Sequence, residues 1–381
     1  MPSPWFPSKR KKRIESMEEG HRDAFRILLA GGVLTLYGWV ILFSATQGEN
    51  GFFHKQLVWW GISLLGLGWG ASVRLENFRS FAYGVGGLAL TLLIGVLVLG
   101  NRINGSRRWL NFGPLHIQAS EPAKIGYLLI LSHYLHSRWF VAKEFLRGFL
   151  IPCGIIGTFC LLVILEPDFG TAFLFGTVGL LLLFLNGARL SFLIPSLLGA
   201  ALLFSIAIYL NPVRLGRITS FLDLEGNRLT GAYQLWQSLV GFCSGGLTGV
   251  GLGLGRQQHS YLPEAHTDFI LAILGEELGL IHVGLVIFLF AGIAYGGLKI
   301  VRRAASPFLF LLASGSLGFL VLQALLNMGV VTGLLPTKGL ALPFISYGGS
   351  NLFTSYVFIG WLVNVAQTPV ETTARLAQRE L

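Results

Sequence analysis

The chain has 381 residues, 53% of them apolar and only 12% charged, with 50 glycines and a mean hydropathy of +0.66. Soluble domains carry about 25% charged residues, so too little polar surface remains here to solvate a globule, and a soluble enzyme is excluded. The net charge of +10 is weighted toward Lys9-Arg10-Lys11-Lys12-Arg13, Arg22 and Arg26, ahead of an apolar run. With no folded basic domain, that tail reads as a cytoplasmic anchor against anionic lipid and not as a nucleic-acid site. Three cysteines without metal-ligand spacing define neither a disulfide framework nor a zinc site.

A hydrocarbon core of about 30 Å takes about 20 apolar helical residues. Runs of that kind fall at 25–47, 56–74, 80–100, 120–137, 147–166, 170–187, 190–210, 268–298, 307–333 and 343–367. The reading is an all-α polytopic membrane protein with about ten transmembrane helices. Placing both termini in the cytoplasm puts 18 of the 28 Lys and Arg residues inside, which agrees with the positive-inside bias. The organisation is then a basic tail (1–24), a membrane domain (25–367) and a second tail (368–381). A large extracytoplasmic loop, 211–267, joins spans seven and eight.

Ionisable groups within or beside spans are costly and point to function. Arg107-Arg108-Trp109 sets two guanidinium groups next to an amphipathic ring, either as an interfacial belt or as forks matching phosphate. Ser120-Glu121-Pro122-Ala123-Lys124 has the form of a helix start, with Ser120 as its cap. Glu121 and Lys124 are i,i+3 and can pair on one face, as a helix-end ion pair or as a cation steered toward an anionic substrate. Glu166-Pro167-Asp168-Phe169-Gly170-Thr171 joins two spans with almost no loop. There Asp168 can cap the next helix, or the two carboxylates can hold a cation.

Gly245 to Gly255 alternates Gly with Leu but does not fit a dinucleotide loop. It is expected to press its backbone against the membrane surface or a lipid. Tyr261-Leu262-Pro263-Glu264-Ala265-His266-Thr267-Asp268 runs straight into a long apolar span, so Asp268 is a candidate N-cap. Capping leaves Glu264, His266 and the deeper pair Glu276-Glu277 unexplained. That pair lies roughly 12 Å further along the helix and is expected to meet Lys124 or the outer arginines. Leu335 to Ser350, with Lys338 and Ser346, is Pro/Gly-rich backbone at membrane depth, tolerated only in protein or beside a cavity.

Together these motifs resemble the shape, elongation, division and sporulation (SEDS) family of polytopic bacterial proteins. The resemblance runs through essentially all ten spans. It rests on Arg107 to Leu110, Gln118 to Lys124, Glu166 to Thr171, Tyr233-Gln234 with Gln237-Ser238, Pro263 to Asp268, Gly275 to Gly279, and Leu335 to Ser350. Several of these motifs are closer to the division branch than to the elongation branch. Ala119 stands where the family commonly has Pro, and Asn351 where it commonly has Ser.

The resemblance implies a peptidoglycan glycosyltransferase that polymerises lipid II outside the cytoplasmic (inner) membrane, at the division septum. It also implies a class B penicillin-binding transpeptidase as a partner through transmembrane helices, along with other division proteins of the membrane. Asp268 is then the catalytic carboxylate. Arg108, Trp109, Glu121, Lys124, Asp168, Arg214, Arg217, Gln234, His266, Lys338 and Ser346 are substrate, pyrophosphate or cavity residues. A divalent cation bridging Asp168 or Asp268 to phosphate is left open by the residues. The alternative from another class is a flippase carrying lipid II across the bilayer, for which an acid pair within a helix is suitable.

Overall fold

A computed structural model of the chain describes residues 9–46, 50–103, 106–112 and 115–368. Helices dominate: α1 (Lys9–Ala45), α2 (Asn50–Ser72), the single turn α3 (Leu75–Phe78) and α4 (Ala82–Leu99) come first. A small sheet follows, β1 (Asn101–Ile103), β2 (Ser106–Phe112) and β3 (Leu115–Gln118), antiparallel in the order β1-β2-β3. Next are α5 (Ser120–Ser137), α6 (Ile151–Leu165), α7 (Phe169–Leu185), α8 (Leu190–Tyr209), α9 (Pro212–Leu222) and α10 (Tyr233–Gly245). The last are α11 (Ile270–Leu278), α12 (Leu280–Arg302), α13 (Pro307–Val331) and α14 (Gly349–Gln367).

Two expectations are corrected. The chain is not all helix, because 101–118 pairs as strands with Trp109 opposite Gln118 and Leu110 opposite Ile117. The eighth expected span, 268–298, is not continuous. Gly279 adopts φ +81 between α11 and α12, a conformation that Gly alone enters freely. The break lets α11 stop short and α12 make the long apolar run. Among the described residues six helical stretches are long and apolar enough to cross a membrane, and α7 is a shorter apolar helix. Of the expected tails 1–24 and 368–381, residues 9–24 belong to α1, and 1–8 and 369–381 lie outside the described residues.

The core centres on α13 and α14, which are buried along most of their length. α14 packs chiefly against α2, and small residues set that approach. A Cβ at Gly360 would sit 2.7 Å from the Leu67 carbonyl oxygen, and one at Gly70 would lie 3.1 Å from that of Val357. Apolar side chains gain little from each other in lipid, so close backbone packing replaces the hydrophobic effect. Asn364 adds a polar fastening, its Nδ2 donating to the carbonyls of Gly70, Ala71 and Val73. These are the orphan acceptors at the end of α2.

At the other extreme, α8 buries only Leu193 and touches little besides its neighbours α7 and α9. One flank of the molecule is therefore closed by a loosely attached helix. Gly360→Val is expected to force α2 and α14 apart and cost about 1–3 kcal/mol by overpacking. Thermal unfolding in detergent would read that loss, whereas Gly68→Val, a position with open space around it, should leave the transition unchanged.

Candidate functional site

The site gathers at one end of the helices, built from the sheet, the α6–α7 turn and the loops ahead of α11 and α14. Arg108 on β2 reaches across to the α6–α7 turn. Its Nε donates to the Glu166 carbonyl at 3.0 Å and its Nη2 to that of Pro167. Gln118 on β3 closes the same contact, donating from Nε2 to Asp168 Oδ2 at 3.2 Å. Asp168 is buried and caps α7, accepting from the Thr171 N–H at 3.1 Å and the Thr171 hydroxyl at 2.9 Å. Its two oxygens are thus committed to holding the turn. Ser120 does not cap α5: Ala119 occupies that position without a side-chain bond, and the Ser120 hydroxyl is buried without a partner.

Lys124 is 1% exposed, sealed between α5 and α13. Its ammonium donates to Glu121 Oε1 at 2.7 Å and to Gln323 Oε1 at 2.8 Å. Gln323 in turn donates to the Ala341 carbonyl and to Asn351 Oδ1. One turn further along α13, Asn327 donates from Nδ2 to the Asp268 carbonyl at 2.7 Å and that of Leu340 at 2.6 Å. Lys124 and Asp268 therefore belong to one polar ladder, joined through α13. Neither Gln323 nor Asn327 was among the sequence candidates. Two amides four apart in an apolar span are the signal that would have found them.

Asp268 does not cap α11; Phe269 is the flanking residue. Its carboxylate faces the backbone of Gly339, where a Cβ would come within 3.1 Å of Oδ2. The acid loop and the Pro/Gly-rich loop are stitched together by Ser346, whose hydroxyl donates to the Thr267 carbonyl at 2.6 Å and accepts from the Leu342 N–H. The Tyr347 N–H donates to the His266 carbonyl, and the His266 ring packs between Phe52 and Tyr347. Burial pushes the Asp268 carboxyl up to about 7; Glu264 and Asp168 add to the rise, while Arg108 and Arg217 oppose it. The His266 imidazole is pushed down by burial, with Glu264 opposing.

Two further cations flank this group on an aromatic platform. The Arg214 guanidinium lies 3.4 Å from the centre of the Phe169 ring, and the Lys338 ammonium lies 4.6 Å from Phe173 and 5.4 Å from Phe204. Cation–π contact helps to hold both in place, and Arg214 Nη1 also donates to the Ala207 carbonyl at 2.9 Å. Burial lowers the Lys338 pKa. Trp109 is half-buried on β2 opposite Gln118. Gln234 stands apart, half-buried on α10, a helix that packs on α11 and α13.

Glu276 and Glu277 depart from expectation, since Lys124 pairs with Glu121 instead and both acids accept from backbone N–H groups. Glu276 accepts from the backbone N–H groups of Arg256 and Gln257, both at 3.0 Å. Glu277 Oε1 accepts from the Ser44 hydroxyl at 2.6 Å and the Gly253 N–H at 3.2 Å. The Gly/Leu loop differs as well. Its glycines press on the end of α11: Val250 and Gly251 donate to the carbonyls of Glu276 and Glu277. A Cβ at Gly249 would lie 2.1 Å from the Glu277 carbonyl oxygen. Leu247, Leu252 and Leu254 point outward, exposed. The carboxylates thus clasp the segment that leads into Asp268.

Glu166 completes the site in an unplanned way. It is fully buried just beyond the α6 span, and neither carboxyl oxygen has a hydrogen-bond partner. Burial, with Asp168 nearby, raises its carboxyl to about 9 against the pull of Arg108, so it is neutral at pH 7. For a metal, among the described residues no three His, Cys, Asp or Glu side chains cluster as ligands, and the Asp168 oxygens are already engaged.

The fold is a helical membrane bundle with its polar residues gathered at one end, and residues 23–370 match the FTSW_RODA_SPOVE family of cell cycle proteins. The chain belongs to that family. It is 41% identical over 349 residues to a Coxiella burnetii protein named probable peptidoglycan glycosyltransferase FtsW, covering 89% of this chain and 93% of that one. A Nitrosococcus halophilus protein of the same name is 46% identical over 286 residues, covering 74% and 73%. Among solved structures, a chain from a peptidoglycan synthase complex superposes with a TM-score of 0.76 at 27% identity, covering 90% and 96%. The rod shape determining protein RodA of Thermus thermophilus gives 0.68 at 26%, covering 90% and 96%.

Two outcomes test the site's wiring. Glu276→Ala should speed amide exchange at Arg256 and Gln257 about tenfold, each losing a bond to a charged acceptor; hydrogen exchange with mass spectrometry reads it. Glu166 binds its proton more tightly folded than unfolded, so it removes stability as pH rises from its ordinary value of 4.5 toward 9, the unfolded chain then releasing more protons. Glu166→Gln should remove that slope, leaving the melting temperature unchanged at pH 4 and higher than wild type at pH 8.

Proposed function

We propose that this chain polymerises lipid II into glycan strands at the outer face of the bacterial cytoplasmic membrane, during septal wall synthesis. The observation that carries the reading is Asp268, a carboxyl raised to about 7 with Arg108 and Arg217 in its field. General bases work best with a pKa near the operating pH. Outside the cell there is no ATP, so the donor arrives already activated, as a sugar on a lipid pyrophosphate. Asp268 takes the proton of the acceptor 4-hydroxyl, that oxygen bonds to the donor's anomeric carbon, and the bond to pyrophosphate breaks.

Arg108, Arg214, Arg217 and Lys338 stabilise charge on the departing pyrophosphate. Their positive charge and their positions beside Asp268 and the start of α7 support that role. Lys124 and Glu121 act at one remove, fixing α5 against α13 and so the Asp268 backbone. Trp109, Gln234, His266 and Ser346 shape the surroundings, and Ser346 holds the two loops in register. The exposure of α8 supports a lipid-facing opening on that flank.

We place ten crossings at α1, α2, α4 to α8, and α12 to α14, with both termini inside. α2, α5 and α14 carry polar residues among their apolar ones, such as Gln56, Lys124 and Asn364. A class B penicillin-binding transpeptidase, docked through its own transmembrane helix, is the proposed partner, with other division proteins of the membrane around it. The name of the solved complex supports a synthase assembly. Transport of lipid II gains no support, because alternating access needs a charged mid-bilayer site open to both faces and Lys124 is enclosed.

Purified protein given lipid II, with and without a class B partner, should yield moenomycin-insensitive polymer. Asp268→Asn should lower the rate by about 10²–10⁴-fold, and the wild-type rate should climb through pH 7 as the carboxylate forms. A near wild-type rate for the Asn variant would overturn the assignment.

A further inference from the structure

The molecule has a charged hollow that the chemistry above does not use. A cavity of about 170 Å³ is lined by Glu19, Arg22, Asp23, Arg26, Lys299 and Arg303, four cations and two acids. It lies on the seam between the start of α1 and the end of α12. Ser44, near the end of α1, touches Glu277, so α1 and α12 run antiparallel between the two polar ends. The 21 residues of helix from Asp23 to Ser44 span roughly 32 Å at 1.5 Å each, about one hydrocarbon thickness. The hollow therefore sits in the headgroup layer opposite the Asp268 site.

The internal pairing of this cluster is lopsided. Arg303 bridges Glu19 Oε2 at 2.7 Å and Asp23 Oδ2 at 3.1 Å, and Arg26 pairs with Asp23 Oδ1 at 2.9 Å. Those contacts satisfy both acids. Among the described residues Arg22 has no carboxylate partner, and the Lys299 ammonium rests 4.3 Å from the Tyr295 ring centre, which leaves its donors free. Cations in the last turn of α12 also favour the helix dipole, but that accounts for neither Arg22 nor an open volume between two helices. The surface leading away from the hollow is apolar: Phe25, Leu29 and Leu36 line α1, while Tyr295, Leu298 and Phe288 line α12, all exposed. A water occupies about 30 Å³, so the hollow has room for a phosphate group.

We propose that this hollow binds the phosphodiester headgroup of an anionic phospholipid from the inner leaflet, its acyl chains lying on the exposed stripes of α1 and α12. Guanidinium forks match phosphate oxygens in pairs, and Arg22 and Lys299 supply the uncompensated charge. Arg26 and Arg303 keep the helices clasped. Free phosphate shares the headgroup chemistry but lacks the chains.

The test uses the full chain, delipidated in neutral detergent, with thermal stability read against added phosphatidylglycerol, phosphatidylcholine or inorganic phosphate. Phosphatidylglycerol should raise the melting temperature saturably and the other two should not. Arg22→Gln with Lys299→Gln should weaken half-saturation about thirtyfold, while Lys299→Arg should keep it. Neutralising Lys9 to Arg13 should also leave it in place. An unchanged response in the double variant, or loss of the response with the tail alone, overturns the site. An equal shift with inorganic phosphate overturns the lipid as its source.

Discussion

A buried ammonium sets the terms for the rest of the structure. An unpaired charge among apolar helices is strongly destabilising, and removing one partner of a buried pair typically costs about 3–5 kcal/mol. Lys124 must therefore find Glu121 on its own helix and Gln323 on α13. Once Gln323 is held, its amide is committed to Ala341 and Asn351, and Asn327 one turn away is committed to Asp268 and Leu340. A single charge thus places α5, α13, the start of α14 and both reactive loops relative to each other. The position of Asp268 follows from that ladder more than from its own contacts.

The acids divide the remaining work according to what surrounds them. Asp168 satisfies a helix end and pins the sheet. Glu166, beside it and without donors, stays protonated. Glu276 and Glu277 stay at home because backbone N–H groups converge on them, joined at Glu277 by the Ser44 hydroxyl. Asp268 is left as the acid whose protonation changes near neutrality. Four carboxylate environments arise within one end of the molecule, and their differences come from hydrogen-bond donors and burial, not from sequence distance.

Much of this was legible from residue types and spacing. Helix existence followed from apolar runs, and the convergence of Arg108, Asp168 and Asp268 followed from their shared side of the membrane. The sheet was hidden because 101–118 has no long alternating pattern and its strands are short. The break at Gly279 was hidden inside an apolar run, where one glycine is ordinarily tolerated. The partners of Glu276 and Glu277 were illegible for a deeper reason. Backbone donors carry no sequence signature, so an acid pair at depth naturally suggested cationic side chains. Gln323 and Asn327 were legible but were passed over because they are uncharged.

The weak seating of α8 has a consequence for traffic. A helix that buries one leucine is held mainly by α7 and α9, apart from the ladder through α13 and the clasp between α2 and α14. Long-tailed molecules could then slip in from the bilayer and out again sideways, like a curtain parting beside a fixed wall. Turnover would leave the interior undisturbed, and successive additions to one strand would need no reopening of the protein's heart.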